Sequence, residues 1–309
     1  MESRKIYTLK IVRDVFEKNP RISYTNLHKI VKRRLNIKMR DTTRRYITFG
    51  MENKIIGLPR PVLKYFCNVH QHISFIDSDI TNFENILSEK EDIRYACALA
   101  GSSECILITS FSPIGDDILY HAYTQANGFT CEEEKSLKKF KQIYKEEPKM
   151  IIVEKKELEW DDLDWMLFNT LSSNLRIKFI DISKKVTMNW RTVKKRIEEK
   201  ILPNCSVASY FFPRGQHTYQ QLFLHFKTDY QLNFIEKLNN LGTTTYYLLF
   251  GNNDVGIFMF PENINNVLKI FKKIEKNGII DDLRYYLPLF WYHAAELSGP
   301  GTSTWTPTS

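Results

Sequence analysis

Along YTLKIVRDVFEK, residues 7–18, the apolar side chains Leu9, Val12 and Phe16 recur at helical spacing, and Asn19-Pro20 stops the pattern. A second helix is predicted from Ser23 as N-cap, with Leu27, Ile30 and Val31 on one face and KRR at 32–34, where a helix dipole favours cations. A third begins after Asn36 and runs through DTTRRYITFGMEN with Ile47 and Met51 inward; KIIGLP then reads as a short strand before Pro59 and Pro61. From there the period drops to 2. VHQHISF is predicted as a strand, SDITNFENILSE as a helix, IRYACALA and ECILITSF as strands about Gly101, DDILYHAYTQA as a helix and MIIVEK as a closing strand.

The second half repeats this order. DDLDWMLFNTL, KFIDISKKV and MNWRTVKKRIEEK are predicted helices, the last capped by Thr187, with Val193, Ile197 and Ile201 inward and Arg191, Lys194 and Lys195 outward. YQQLFLHF, TTTYYLLF, VGIFMF and IDDLRYYLPLFWY are strands, interrupted by helices YQLNFIEKLNNL and NINNVLKIFKKIEK. The likeness reaches single residues. GSSECILITSF at 101–111 matches GNNDVGIFMF at 251–260; Thr42, Arg44, Arg45 and Ile47 match Thr192, Lys194, Lys195 and Ile197; and NPRISY at 19–24 matches NLRIKF at 174–179.

Three helices and a short strand are the order of a winged helix-turn-helix, and βαββαβ is that of a ferredoxin-like domain. The expected fold class is α+β, two copies of that pair: winged helix-turn-helix at 1–62, ferredoxin-like domain at 63–157 with an insertion about 127–148, winged helix-turn-helix at 158–206 and ferredoxin-like domain at 207–297. A small, polar, Pro/Gly-rich tail at 298–309 is expected to be disordered.

Charge changes the picture more than composition does. The chain carries a net +8, yet residues 1–64 hold 17 Lys/Arg against 5 Asp/Glu while residues 65–150 hold 8 against 14. Such concentration in one small domain is the footprint of a polyanion binder. No apolar run spans a bilayer and MESRKIYTLK lacks a signal-peptide core, so a cytoplasmic protein without membrane contact is expected. Cys67, Cys97, Cys105, Cys131 and Cys205 form no CxxC pair and are odd in number, which argues against a disulfide framework or zinc site. No nucleophile elbow, Gly-rich phosphate loop or HExxH occurs, so no catalytic residue, metal or cofactor is expected.

The segment LEWDDLDWMLFNTLSSNLRIKFIDISKKVTMNWRTVKKRIEEKIL resembles the N-terminal domain of the leucine-responsive regulator (Lrp/AsnC) family, and GNNDVGIFMF resembles the turn of its effector (RAM) domain. That resemblance implies a nucleoid-associated transcription regulator binding double-stranded DNA, with one chain forming the pseudo-dimer and homo-oligomers assembling through the ferredoxin-like sheets; richness in Lys, Ile and Asn separately suits an AT-rich, archaeal source. DNA contacts would come from Arg40, Thr42, Thr43, Arg44 and Arg45 in the first copy and Asn189, Trp190, Arg191, Lys194 and Lys195 in the second. A small effector such as an amino acid would meet Gly101, Glu104, Gly251 and Asp254. Two other readings stay open. Siroheme decarboxylases look like paired units of the same kind, which would enlist His70, His72, His217 or His225 and Arg214 for tetrapyrrole chemistry. A chromatin-like DNA binder without sequence preference would share the charge argument.

Overall fold

A computed structural model describes residues 2–89, 93–111, 117–125, 147–149, 156–237, 244–251 and 253–293. The architecture is mixed α and β, in two compact units. One gathers residues 2–63 and 160–219; the other gathers 64–123, 156–159 and 220–293. Like segments of the repeat therefore group together rather than standing as four successive domains.

The helical unit contains α1 (Glu2–Lys18), α2 (Tyr24–Leu35), α3 (Arg40–Glu52) and strand β1 (Arg60–Leu63), then α5 (Asp162–Leu171), α6 (Phe179–Lys185), α7 (Trp190–Arg196) and β6 (Cys205–Ala208), with a fourth helix, α4, belonging to the other unit. Leu9, Val12, Phe16, Leu27, Val31 and Ile47 form the first triplet's core, as their spacing predicts. Ser23 caps α2 by accepting from the Asn26 amide. Two expectations need correction. The cap of α7 is Asn189, because Thr187 lies in the preceding turn at φ +52°. KIIGLP contributes a single bridge, Ile56 to Phe211, and the strand forms at Arg60–Leu63. Helix α5 begins with a capping box in which Asp161 and Asp164 satisfy each other's backbone amides.

The two triplets meet with a twofold relation written in the sequence. The match of NPRISY to NLRIKF equates Arg21 with Arg176, Pro20 with Leu175 and Tyr24 with Phe179. Arg21 donates to the carbonyls of Leu175 and Ile177, the latter at 2.7 Å, and lies 3.8 Å over the Phe179 ring. Arg176 returns the contact, donating to the Pro20 carbonyl at 2.8 Å and lying 5.1 Å over Tyr24. Burial, reinforced by the Arg176 charge, lowers the Arg21 guanidinium to about 10. The strands obey the same symmetry: β1 and β6 follow Leu58-Pro59 and Leu202-Pro203, and Val62 faces Ser206 between the reciprocal pairs Pro61–Val207 and Leu63–Cys205.

The second unit is a closed eight-stranded barrel. Its strands are β2 (Gln71–Asp77), β3 (Ile93–Gly101), β4 (Glu104–Ser110), β5 (Asp117–Gln125), β7 (Leu222–Lys227), β8 (Thr245–Phe250), β9 (Asp254–Met259) and β10 (Asp281–His293), in the order β10-β3-β4-β2-β5-β8-β9-β7. Numbered within each copy, both halves run 2-3-1-4, and the fourth strand of each neighbours the second of the other. Closure removes the free edges that two separate sheets would expose. Helices α4 (Phe83–Glu89), α8 (Gln231–Lys237) and α9 (Ile264–Lys276) cover outer faces.

DDILYHAYTQA is a strand here, not the expected helix. Its aromatic and β-branched residues suit a sheet, and pairing of Gln71 with Leu119 and Ile73 with Asp117 supplies the main-chain bonds a helix would otherwise make. The expected closing strand MIIVEK, residues 127–146 of the insertion and the tail lie outside the described residues.

Candidate active site at one end of the barrel

Alternation along each strand separates two sets of side chains. Ile73, Cys97, Leu99, Cys105, Leu107, Leu119, Phe223, Phe250 and Tyr286 come from seven strands of both copies and meet inside the barrel. The outer set packs under the helices.

His225 on β7 and Asp254 on β9 belong to the interior set. The imidazole Nε2 lies 2.7 Å from Asp254 Oδ1, with both side chains nearly buried. Phe75, from the other copy, stacks on the His225 ring across the barrel, 4.9 Å between centroids and 7° from parallel. Phe250 lies 5.4 Å from the His225 ring and 5.7 Å from Phe75, so the three rings form one cluster. A carboxylate thus holds one nitrogen, and Phe75, lying parallel, fixes the plane of the ring. With Nε2 engaged by Asp254, Nδ1 is the ring nitrogen outside that bond.

The same end gathers further polar groups. Arg284 on β10 stands opposite His225 in register, half-exposed and paired to Asp282 at 2.9 Å. Tyr286, two residues along, is buried, and burial raises its hydroxyl above the ordinary value. Cys105 faces Asp77 in register, and burial followed by the Asp77 charge pushes its thiol up to about 11. A thiol so placed stays protonated at neutral pH and is no nucleophile. Deeper in, burial holds Cys97 up at about 12 and Tyr95 well above its usual value. The chemistry available is proton transfer at His225, with Arg284 to hold an anion.

The residues expected from sequence do not come together as one site. Gly101 and Gly251 both shape three-residue turns, where a Cβ would lie 2.3 Å from the Tyr285 carbonyl oxygen and 2.6 Å from Asp117 Oδ1 respectively. Glu104, however, points to the outer face, exposed, accepting from the Ile80 amide at 3.5 Å, whereas Asp254 points inward. His70 and His72 are on the outer face of β2, and His217 and Arg214 belong to the helical unit, Arg214 over the Tyr219 ring. His225 alone of the set enters the barrel site. Phe75, Arg284 and Tyr286 were not foreseen, because a contact across a barrel leaves no spacing signal in sequence.

Of the residues expected to read DNA, Arg40, Arg44 and Arg45 are exposed on α3, with Thr42 half-buried. Thr43 is a correction: it is buried, with its hydroxyl 2.9 Å from His28 Nδ1, because the fourth residue of α3 faces the triplet core. Asn189 spends its side-chain oxygen on the Arg191 amide as a cap. Trp190 is exposed with Arg191 over its ring, and Lys194 and Lys195 each stand 4.0 Å from Glu198 and Glu199.

No family model and no curated protein matches the chain. Two solved structures are similar to it. One is the siroheme decarboxylase NirDL, at 9% identity and TM-score 0.45, covering 91% of this chain and 90% of that one. The other is the same decarboxylase in co-complex with an iron-uroporphyrin III analogue, at 10% identity and TM-score 0.44, covering 93% and 91%. Both are titled as an enzyme, whereas the expectation from sequence was a DNA-binding transcription regulator. A basic segment and exposed helix arginines report a polyanion-compatible surface and no more.

Proposed function

We propose that this chain is an acid–base enzyme whose substrate is a flat, carboxylate-bearing macrocycle of the tetrapyrrole class, decarboxylated at the barrel end. The carrying observation is the His225–Asp254 pair, with Phe75 stacked on the imidazole and Phe250 beside it. Loss of CO2 from an acetate side chain leaves an electron pair on carbon, and a proton must be delivered there. A protonated His225 would supply it from Nδ1 while Asp254 keeps the ring in place. Arg284, opposite His225, would exchange Asp282 for a substrate carboxylate. The aromatic walls would accept the flat ring.

Asp77 and Asp254 line the same end, so substrate carboxylates without a cationic partner would be repelled there. One edge of the macrocycle enters, and the rest stays outside. The fold reading that accompanies this is a tandem of winged helix-turn-helix and ferredoxin-like units of the Lrp/AsnC type. It is supported by the twofold relation of the triplets and by the repeated 2-3-1-4 strand order.

The test is anaerobic incubation of the full-length protein with siroheme, followed by chromatography and mass spectrometry. Stepwise loss of CO2 is expected from the native protein, with little from His225→Gln. Turnover unchanged in that variant would remove His225 from the mechanism. Absence of both binding and turnover would end the tetrapyrrole reading.

A further inference from the structure

A second group of side chains lies outside the site just described. Ile73 and Phe75 of β2 face the interior, so His72 takes the outer face, and His70, which immediately precedes the strand, lies beside it. Their rings are 6.4 Å apart between centroids and inclined by 71°. Tyr65 stands 6.0 Å from His70 and 5.5 Å from Tyr120, forming an aromatic wall on one side. Both Nδ1 atoms are buried, and neither has a hydrogen-bond partner among the described residues.

Burying one imidazole nitrogen without a partner is unfavourable, and two on one face ask for a cause; a bound ion is one such cause. The chemistry of the donors narrows which ion. Among the described residues no three His, Cys, Asp or Glu side chains come together as a metal site. A tetrahedral zinc site, which needs about four ligands, is therefore not built here. Two neutral imidazoles suit a soft, closed-shell monovalent ion that accepts near-linear coordination. Ring centroids 6.4 Å apart leave room for one ion bonded to a nitrogen of each ring at about 2.0 Å.

We infer that His70 and His72 form a two-coordinate copper(I) site on the outer face of the first half-barrel. Cys67 sits three residues ahead, in the turn closed by the Phe66–Val69 bridge, and offers a thiol outside the linear pair. The site is independent of the barrel-end reaction. It shares no residue with it.

The test uses the full-length protein under anaerobic conditions, titrated with copper(I) in competition with bicinchoninate, and with zinc(II) in a parallel series. One copper(I) per chain is expected, with zinc held far more weakly. His70→Gln and His72→Gln should each lower copper(I) affinity by about 100-fold, with circular dichroism melts confirming that the variants fold. Cys67→Ser should change affinity much less. Copper(I) affinity unaltered in both histidine variants, loss confined to Cys67→Ser, or no copper(I) uptake by the native protein would each overturn the assignment.

Discussion

The turn at 101–103 and the turn at 251–253 are the same length, begin with glycine and close antiparallel hairpins, yet they deliver their acidic residues to opposite faces. In the first, Glu104 pairs with Ala100 and continues the outer row of Ile106 and Ile108. In the second, Asp254 pairs with Phe250, an interior residue, and so meets His225. Side chains on a strand alternate, so a one-residue difference in facing exchanges inside for outside. At the barrel end the first copy consequently pairs Asp77 with Cys105 where the second pairs Lys227 with Asp254, and Phe75 takes the place that His225 has in the second. Duplication supplied two frames, and one of them carries an acid–base pair.

The sharpest way to break this comparison is Asp254→Asn against Glu104→Gln. Decarboxylation should fall by about 100-fold or more in the first, since His225 loses the acceptor that orients it. A similar loss from Glu104→Gln would show the copies to be equivalent.

The helical triplets permit a finer comparison, because their arginine contacts are reciprocal but unequal. Arg21 reaches two carbonyls and Arg176 one. Chemical denaturation should show Arg21→Ala costing about 2–3 kcal/mol and Arg176→Ala about 1–2 kcal/mol. Equal costs would mean that the ring contacts, not the carbonyls, dominate.

A pH effect distinguishes the triplets further. The Asp161 carboxyl is held down at about 2, first by the hydrogen bond from Arg196 and then by the Asp164 amide. Its folded value is depressed below the ordinary 3.8, so its stabilisation is complete above that value and is lost as pH falls through about 2. The equivalent position in the first copy is Ile6. Acid melts followed by circular dichroism should therefore show a loss over this window that Asp161→Asn abolishes. The smallest effect expected is that of Glu104→Gln itself, within about 0.5 kcal/mol in stability, as for an exposed side chain.

Much of the fold is legible in the chain. Helical spacing of Leu9, Val12 and Phe16, the Ser23 cap and the alternation in VHQHISF each state a local preference that burial then rewards. The repeat of Arg21 in Arg176 already held the twofold contact between the triplets. Tertiary structure decided three other things. It made DDILYHAYTQA a strand, because an open neighbour on β2 outweighed helical spacing. It turned Thr43 inward and left Trp190 outside, although each sits on a helix expected to read DNA. And it brought Phe75 onto His225, joining residues 150 apart in the chain by closing the barrel. Periodicity fixes which face a side chain takes within its own element, but only sheet closure determines what stands across from it.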